Sequence, residues 1–229
     1  MSLESYQNEL IEQSMAVDAL KFGTFTLKSG RISPYFINAG LLNTGPILAT
    51  VSAAYAATIV AALKDSTAAF PEFDVLFGPA YKGIPFAACT ALQLHTTHKK
   101  PVGFAFDRKE AKDHGEGGNM VGTPVEGKRV VILDDVMTSG KAVRGAIDIV
   151  TRAGGEVVGV VQLLDREEFG QDGKSSTVKE LERDLGAGRV RSILKLRDLM
   201  AWLETKGMQE ELQKMRAYRD QYGVNKDDA

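Results

Sequence analysis

Short apolar runs alternate with helical stretches along most of this chain, and that alternation restricts its fold more than any other feature. Residues 74–78, 102–106, 129–133 and 156–164 are near-continuous apolar runs of strand length bounded by turn residues, the pattern of strands buried on both faces. Helical stretches at 46–63, 84–94 and 142–153 lie before and between them, and Gly154-Gly155 closes the last. Strands separated by helices can pair side by side only through crossovers, so an α/β fold with a parallel sheet and right-handed connections is predicted.

The flanks extend this frame. Leu3, Leu10, Ile11, Met15, Val17 and Leu20 fall at helical intervals over residues 3–21, and Phe22-Gly23 ends the pattern. Residues 24–39 mix Phe25, Leu27, Ile32, Tyr35, Phe36 and Ile37 with Gly30 and Pro34, which predicts short antiparallel strands around a turn, capping the larger sheet. A polar stretch at 107–123 follows the second run, and residues 170–188 form a polar connection with a short helix at 176–185. An edge strand at 193–196 and C-terminal helices marked by Leu199, Trp202 and Leu203, then by Leu212, Met215, Tyr218 and Tyr222, complete the reading. At 229 residues the whole chain, 1–229, is expected to form one domain.

Charge and cysteine usage exclude several function classes. With 28 basic against 30 acidic residues the net charge is −2, so no global field draws nucleic acid or an anionic membrane, and any anion must be held by a local site. The single cysteine, Cys89, excludes an intrachain disulfide and any multi-cysteine metal cage, and beside Ala87, Ala88 and Ala91 it serves as small apolar filler. The first residues carry Glu4, Glu9 and Glu12 rather than a basic start and an apolar core, and Thr50, Ser52 and Thr58 interrupt the longest apolar stretch. A cytoplasmic enzyme or binding protein with small-molecule substrates is expected.

The segment with the most chemistry is Val130-Val131-Ile132-Leu133-Asp134-Asp135-Val136-Met137-Thr138-Ser139-Gly140-Lys141-Ala142. A buried strand delivers two carboxylates at its C-terminal end, and a turn of small and hydroxyl residues then opens a helix. Free N–H groups and the dipole at a helix start favour a phosphate, and ligands of open α/β sheets sit beyond the carboxyl ends of the strands. The two acids cannot serve that same phosphate, so they must face donors: sugar hydroxyls, an amine or a hydrated metal. Read alone, the same residues also suit a capped turn. Residues 122–128 have the spacing of a nucleotide-triphosphatase loop, but Arg129 replaces its hydroxyl residue and the segment precedes a strand. Gly115, Gly117 and Gly118 lack the third glycine position of a dinucleotide fingerprint.

Three further segments carry anion-binding potential. Gly78-Pro79-Ala80-Tyr81-Lys82-Gly83 turns a strand end into a helix with a lysine at the bend, although Gly-Pro is common turn punctuation. Arg108, Lys109, Lys112 and His114 precede the glycines at 115, 117 and 118, a composition that suits a closing lid as well as a solvated face. Arg166 follows a strand at the same sheet edge, placed either to grip a carboxylate through two parallel hydrogen bonds or to pair with Asp165 or Glu167. His95 and His98 are assigned no role.

Adjacent acids followed by a small, hydroxyl-rich phosphate loop resemble the ribose-phosphate motif of the type I phosphoribosyltransferases. The stretch from Arg108 to Gly118 resembles the catalytic loop of the orotate phosphoribosyltransferases among them, and the likeness extends to Leu164-Asp165-Arg166-Glu167 and Met215-Arg216-Ala217-Tyr218-Arg219. This resemblance implies the type I phosphoribosyltransferase fold: a central parallel sheet flanked by helices, an N-terminal hood over about residues 1–40 and a mobile loop over about 107–120. It implies that Asp134 and Asp135 face the ribose hydroxyls of phosphoribosyl diphosphate (PRPP), whose 5-phosphate lies in the loop of Val136, Met137, Thr138, Ser139, Gly140, Lys141 and Ala142. Lys141 is larger and more basic than the small residue expected there. Tyr81 and Lys82 would line the diphosphate, joined by Lys28 from the hood. Arg108, Lys109, Lys112 and His114 would act on the partner's site across a homodimer interface. Lys28, Phe36, Ile37, Thr138 and Arg166 would hold orotate. The metal would be Mg²⁺, carried mainly by substrate oxygens and water rather than by a protein cage.

Overall fold

A computed structural model of the protein describes residues 3–27, 30–65, 70–112, 118–137, 140–170 and 172–224. Its elements, in chain order, are α1 (Ser5–Ala16), β1 (Leu20–Thr26), β2 (Ile32–Ile37), α2 (Gly45–Lys64), β3 (Val75–Gly78), α3 (Gly83–Thr96), β4 (Gly103–Lys112) and β5 (Gly118–Gly122). Then come β6 (Arg129–Val136), α4 (Lys141–Arg152), β7 (Glu156–Asp165), α5 (Thr177–Leu185), β8 (Val190–Lys195), α6 (Leu196–Thr205) and α7 (Gln209–Tyr222). Six strands form one sheet in the order β5-β4-β3-β6-β7-β8, with β5 antiparallel at the edge and the other five parallel. The predicted parallel α/β core is therefore present.

Strand side chains alternate between the two faces, and the core divides accordingly. Leu76, Val131, Leu133, Val161 and Leu163 pack with residues of α1, α2, α3, α6 and α7, whereas Val75, Phe77, Val130, Ile132 and Val160 pack with α4 and α5. Burial on both faces explains why these strands read as unbroken apolar runs. The helix α2 is long and apolar enough by composition to cross a membrane, but half of its most apolar window is buried against the rest of the protein, as a core helix would be.

Two expectations change. The N-terminal helix ends at Ala16 rather than near residue 21: the chain turns through Val17 and through Asp18 at positive φ, and Leu20 opens β1, paired with Ile37 of β2. Leu20 is buried in either arrangement, so helical spacing alone could not separate them. The polar stretch after residue 106 also carries more strand than its composition implies. β4 continues to Lys112, and β5 returns antiparallel with Asp107 opposite Met120 and Lys112 opposite Gly118. Ladder bonds come from the main chain, so a polar sequence can supply them. The intervening residues 113–117 lie outside the described residues, and so does the resting position of the expected lid.

The topology fixes where a ligand can sit. From β3 the chain crosses to β4 on one side, and from β6 it proceeds to β7 and β8 on the other. The strand order reverses between β3 and β6, and the crevice beyond their carboxyl ends is where open α/β sheets bind ligands. The β1-β2 hairpin is a separate two-stranded antiparallel sheet.

Candidate active site

The turn after β3 and the acidic end of β6 flank that crevice. Asp134 and Asp135 lie within the last residues of β6 rather than after it. The Asp134 carboxylate accepts from the Asp135 amide at 2.9 Å, and the Asp135 carboxylate accepts from the Val136 amide at 2.8 Å. Each side chain is thus braced by the next backbone N–H. Two buried residues that the sequence did not single out hold this backbone. The Tyr55 hydroxyl of α2 donates to the Asp134 carbonyl at 2.7 Å, and the Gln162 carbonyl on β7 accepts from the Met137 amide at 3.3 Å while its amide donates to Ser192 at 3.0 Å. Burial, reinforced by the adjacent Asp135 charge, pushes the Asp134 carboxyl up to about 6.

Beyond the acids the chain reaches Gly140, which caps α4 at φ +69°. A Cβ there would meet the Thr177 methyl at 3.0 Å, so both the backbone conformation and the close packing favour glycine. Val136 and Met137 direct their side chains into the core, which leaves only their main chain available to a ligand. Lys141 and Ala142 form the exposed start of α4, where the expected phosphate would meet unpaired N–H groups. Thr138 and Ser139 lie outside the described residues.

Across the crevice, Gly78 and Gly83 make the β3 turn very tight: a Cβ on Gly78 would stand 2.1 Å from the Gly83 carbonyl oxygen. Gly78→Ala should therefore force the turn apart, costing about 3 kcal/mol in urea unfolding. A variant of unchanged stability would show that the turn can open freely. This turn presents Tyr81, 71% exposed, and Lys82, whose ammonium lies 2.7 Å from the Asp135 carboxylate. The buried Asp107 carboxylate of β4 accepts from the Ala80 amide at 2.6 Å and lies 3.4 Å from the Lys109 ammonium. Lys82, expected at this chain's diphosphate, and Lys109, expected at the partner's, thus each rest on a carboxylate. Arg108 follows Asp107 on β4 and is partly exposed. Of the other expected contacts, Lys28 and His114 lie outside the described residues, and for Lys112 only the backbone is described.

The hairpin contributes Phe36, 40% exposed and stacked on Phe25 at 5.5 Å between ring centroids, an apolar surface on which a planar ring could lie. Ile37 is only partly exposed and turns toward a small apolar gap lined by Leu10, Leu163 and Leu194, so its side chain packs the hairpin against the sheet. Arg166 departs from expectation in one respect. Its Nε donates to Glu168 at 2.7 Å and one Nη donates to both Ser33 and the Tyr218 hydroxyl at 3.2 Å, while the guanidinium lies 4.5 Å above the Tyr35 ring. The fork needed for two parallel bonds to a ligand carboxylate is already occupied. The other terminal nitrogen has no protein partner among the described residues, so a single-nitrogen contact is what remains. Burial opposes its charge, but the facing Tyr35 and Glu168 outweigh burial and keep it protonated.

Among the described residues no cluster of three or more His, Cys, Asp or Glu side chains could hold a metal alone. The paired acids fit a hydrated divalent cation that takes its remaining ligands from a substrate, since hard cations prefer oxygen and Mg²⁺ retains water.

Comparison with known proteins agrees with this geometry. The family model of the phosphoribosyl transferase domain matches residues 43–183, which include the β3 turn, β4, β6 and the start of α4. The chain belongs to the phosphoribosyl transferase family. Within that family it belongs with the orotate phosphoribosyltransferases. It is 50% identical to the orotate phosphoribosyltransferase of Acinetobacter baumannii (strain ACICU) over 93% of this chain and 94% of that one. It is 49% identical to that of Aeromonas salmonicida over 97% and 100%. The crystal structure of the Francisella tularensis orotate phosphoribosyltransferase superposes with a TM-score of 0.81 at 36% identity, covering 94% of this chain and all of that one.

Proposed function

We propose that this protein transfers the 5-phosphoribosyl group of PRPP to N1 of orotate, forming orotidine 5′-phosphate and diphosphate in the de novo pathway to UMP. The observation that carries the chemistry is the Lys82–Asp135 contact of 2.7 Å, which joins the diphosphate turn to the acidic pair at the reversal of strand order. Relatives about 50% identical over nearly the whole chain supply the choice of base.

In the transfer, the bond from C1 of the ribose to the diphosphate oxygen breaks and a bond to N1 of the base forms. The ribose becomes oxocarbenium-like while negative charge accumulates on the departing diphosphate. Lys82, Lys109 and Lys112 neutralise that charge, aided by Arg108 and His114. Asp134 and Asp135 orient the ribose hydroxyls, and the amides from Val136 to Ala142 hold the 5-phosphate. Lys28 reaches the diphosphate, Phe36 supports the plane of the base, and Thr138 and Arg166 contact its polar edge. Bound Mg²⁺, carried mainly by substrate oxygens and water beside Asp134 and Asp135, would supply further charge neutralisation. The protein works as a homodimer in the cytoplasm, one catalytic unit per 229-residue chain, with the loop at 107–120 closing over the partner's site.

Mixing the protein with orotate, PRPP and Mg²⁺ tests this reading. The expected result is a PRPP-dependent fall in orotate absorbance, and no change with either substrate omitted. Undiminished absorbance in the complete mixture would refute the assignment.

A further inference from the structure

Glu168 stands outside every role described so far, yet it lies at the centre of the contacts around Arg166. One of its carboxylate oxygens accepts from the Arg166 Nε at 2.7 Å and from the Tyr218 hydroxyl at 2.8 Å. The other accepts from Arg31 of the hairpin at 3.0 Å. Arg31 in turn lies 5.0 Å from the centre of the Tyr222 ring, and Tyr218 meets Tyr35 edge-on at 6.4 Å. Three parts of the chain far apart in sequence thus converge on one carboxylate: the hairpin, the end of β7 and the C-terminal helix α7. Each bond to it is charge-assisted or involves an ionised partner, so the set is strong and directional.

We infer that Glu168 is a positioning residue for the base, fixing the Arg166 guanidinium so that the terminal nitrogen without a partner among the described residues faces the ligand, with Tyr218 of α7 completing the clamp. A long arginine has many rotamers, and ordering it on binding weakens affinity. Here Nε and one Nη are already committed, so the ordering is complete before substrate arrives. The same carboxylate ties Arg31 to this point and thereby sets the hairpin bearing Phe36 relative to the guanidinium. PRPP, assigned to the β3 turn and the β6 loop, meets this region only through Lys28 of the hairpin. The effect of Glu168 should therefore fall mainly on the base. The inference rests on the proposed contact between Arg166 and orotate.

Steady-state kinetics of Glu168→Ala, Tyr218→Phe and Arg166→Ala separate the possibilities. Glu168→Ala should raise KM for orotate about tenfold, with KM for PRPP and kcat changed little. Tyr218→Phe removes one hydroxyl and leaves the carboxylate in place, so it should raise KM for orotate about two- to threefold even if the first variant folds poorly. Glu168 as a merely structural residue would lower the melting temperature and the active fraction, reducing apparent kcat with both KM values unchanged; that result overturns the inference. If Arg166→Ala raises KM for orotate but neither Glu168→Ala nor Tyr218→Phe does, the base contact stands and the clamp falls. If Arg166→Ala leaves KM for orotate unchanged, the base contact and the clamp fall together.

Discussion

Alanine at Lys109, and equally at Lys112, should lower kcat by about 10²–10³ with little loss of stability, the scale expected when one donor to a developing negative charge is removed. Charge on the diphosphate is greatest as the bond to C1 breaks, so a cation delivered there favours the transition state over bound PRPP and acts on kcat more than on KM. Lys109 is free to make that move. Its side chain is 52% exposed and, among the described residues, held only by Asp107 at 3.4 Å, and exposed pairs of this kind contribute about 0–1 kcal/mol, so the contact exchanges readily for diphosphate. The buried Asp107 remains bonded to the Ala80 amide when Lys109 departs, which keeps the β3 turn in place. Lys112 ends β4 opposite Gly118, the pair that flanks residues 113–117, so its backbone lies at the base of the expected lid. Initial rates at saturating PRPP and orotate decide the matter. A variant whose KM for PRPP rises while kcat stays normal would assign the lysine to ground-state binding instead.

The fold was legible to the extent that backbone pairing coincides with apolar side chains. β3, β6 and β7 are buried on both faces, so composition alone revealed them. The arms on either side of residues 113–117 were not legible, because Asp107 and Met120 pair through main-chain bonds that their side chains do not advertise. At the site, Asp134, Asp135 and Lys82 could be singled out because each stands at the junction of a strand or turn with a helix. Their supports could not. Tyr55 looks like one aromatic in an alanine-rich helix, yet it reaches 79 residues along the chain to the Asp134 carbonyl. Gln162 and Asp107 each carried a faint signal, a lone polar residue within or just after an apolar run, but what they bond depends on which strands become neighbours. Arg166 was recognised as a residue able to bind a carboxylate, while its partners Ser33 and Tyr218, 133 and 52 residues away, became visible only with the hairpin and α7 in place. Side-chain chemistry is local, and its satisfaction is tertiary.

Asp134→Asn should lower activity by at least about 10²-fold and, at neutral pH, make the protein more stable. Burial beside Asp135 pushes the Asp134 carboxyl up to about 6 from an ordinary 3.8, so the folded state holds this proton more tightly than the unfolded chain does. Below about pH 4 both states are protonated and the group costs nothing. As pH rises from there toward 6, the unfolded chain releases its proton before the folded one, and stability falls. Above about pH 6 the full penalty is present, on the order of 1–3 kcal/mol. Asparagine is neutral at every pH and keeps the carbonyl oxygen that accepts from the Asp135 amide, so it removes the charge and preserves that bond. The variant should therefore melt higher than the parent at pH 7.5 and match it at about pH 3, while losing the charge proposed to orient the ribose hydroxyls. A variant that melts lower at pH 7.5 would mean that attraction from Lys82 outweighs burial, and that Asp134 is ionised at no cost. The expected opposite result follows from how a phosphoribosyl site must be built: two carboxylates on adjacent residues of a buried strand end repel each other and lose water, and the fold tolerates both because Tyr55 and Gln162 hold the backbone on which they stand.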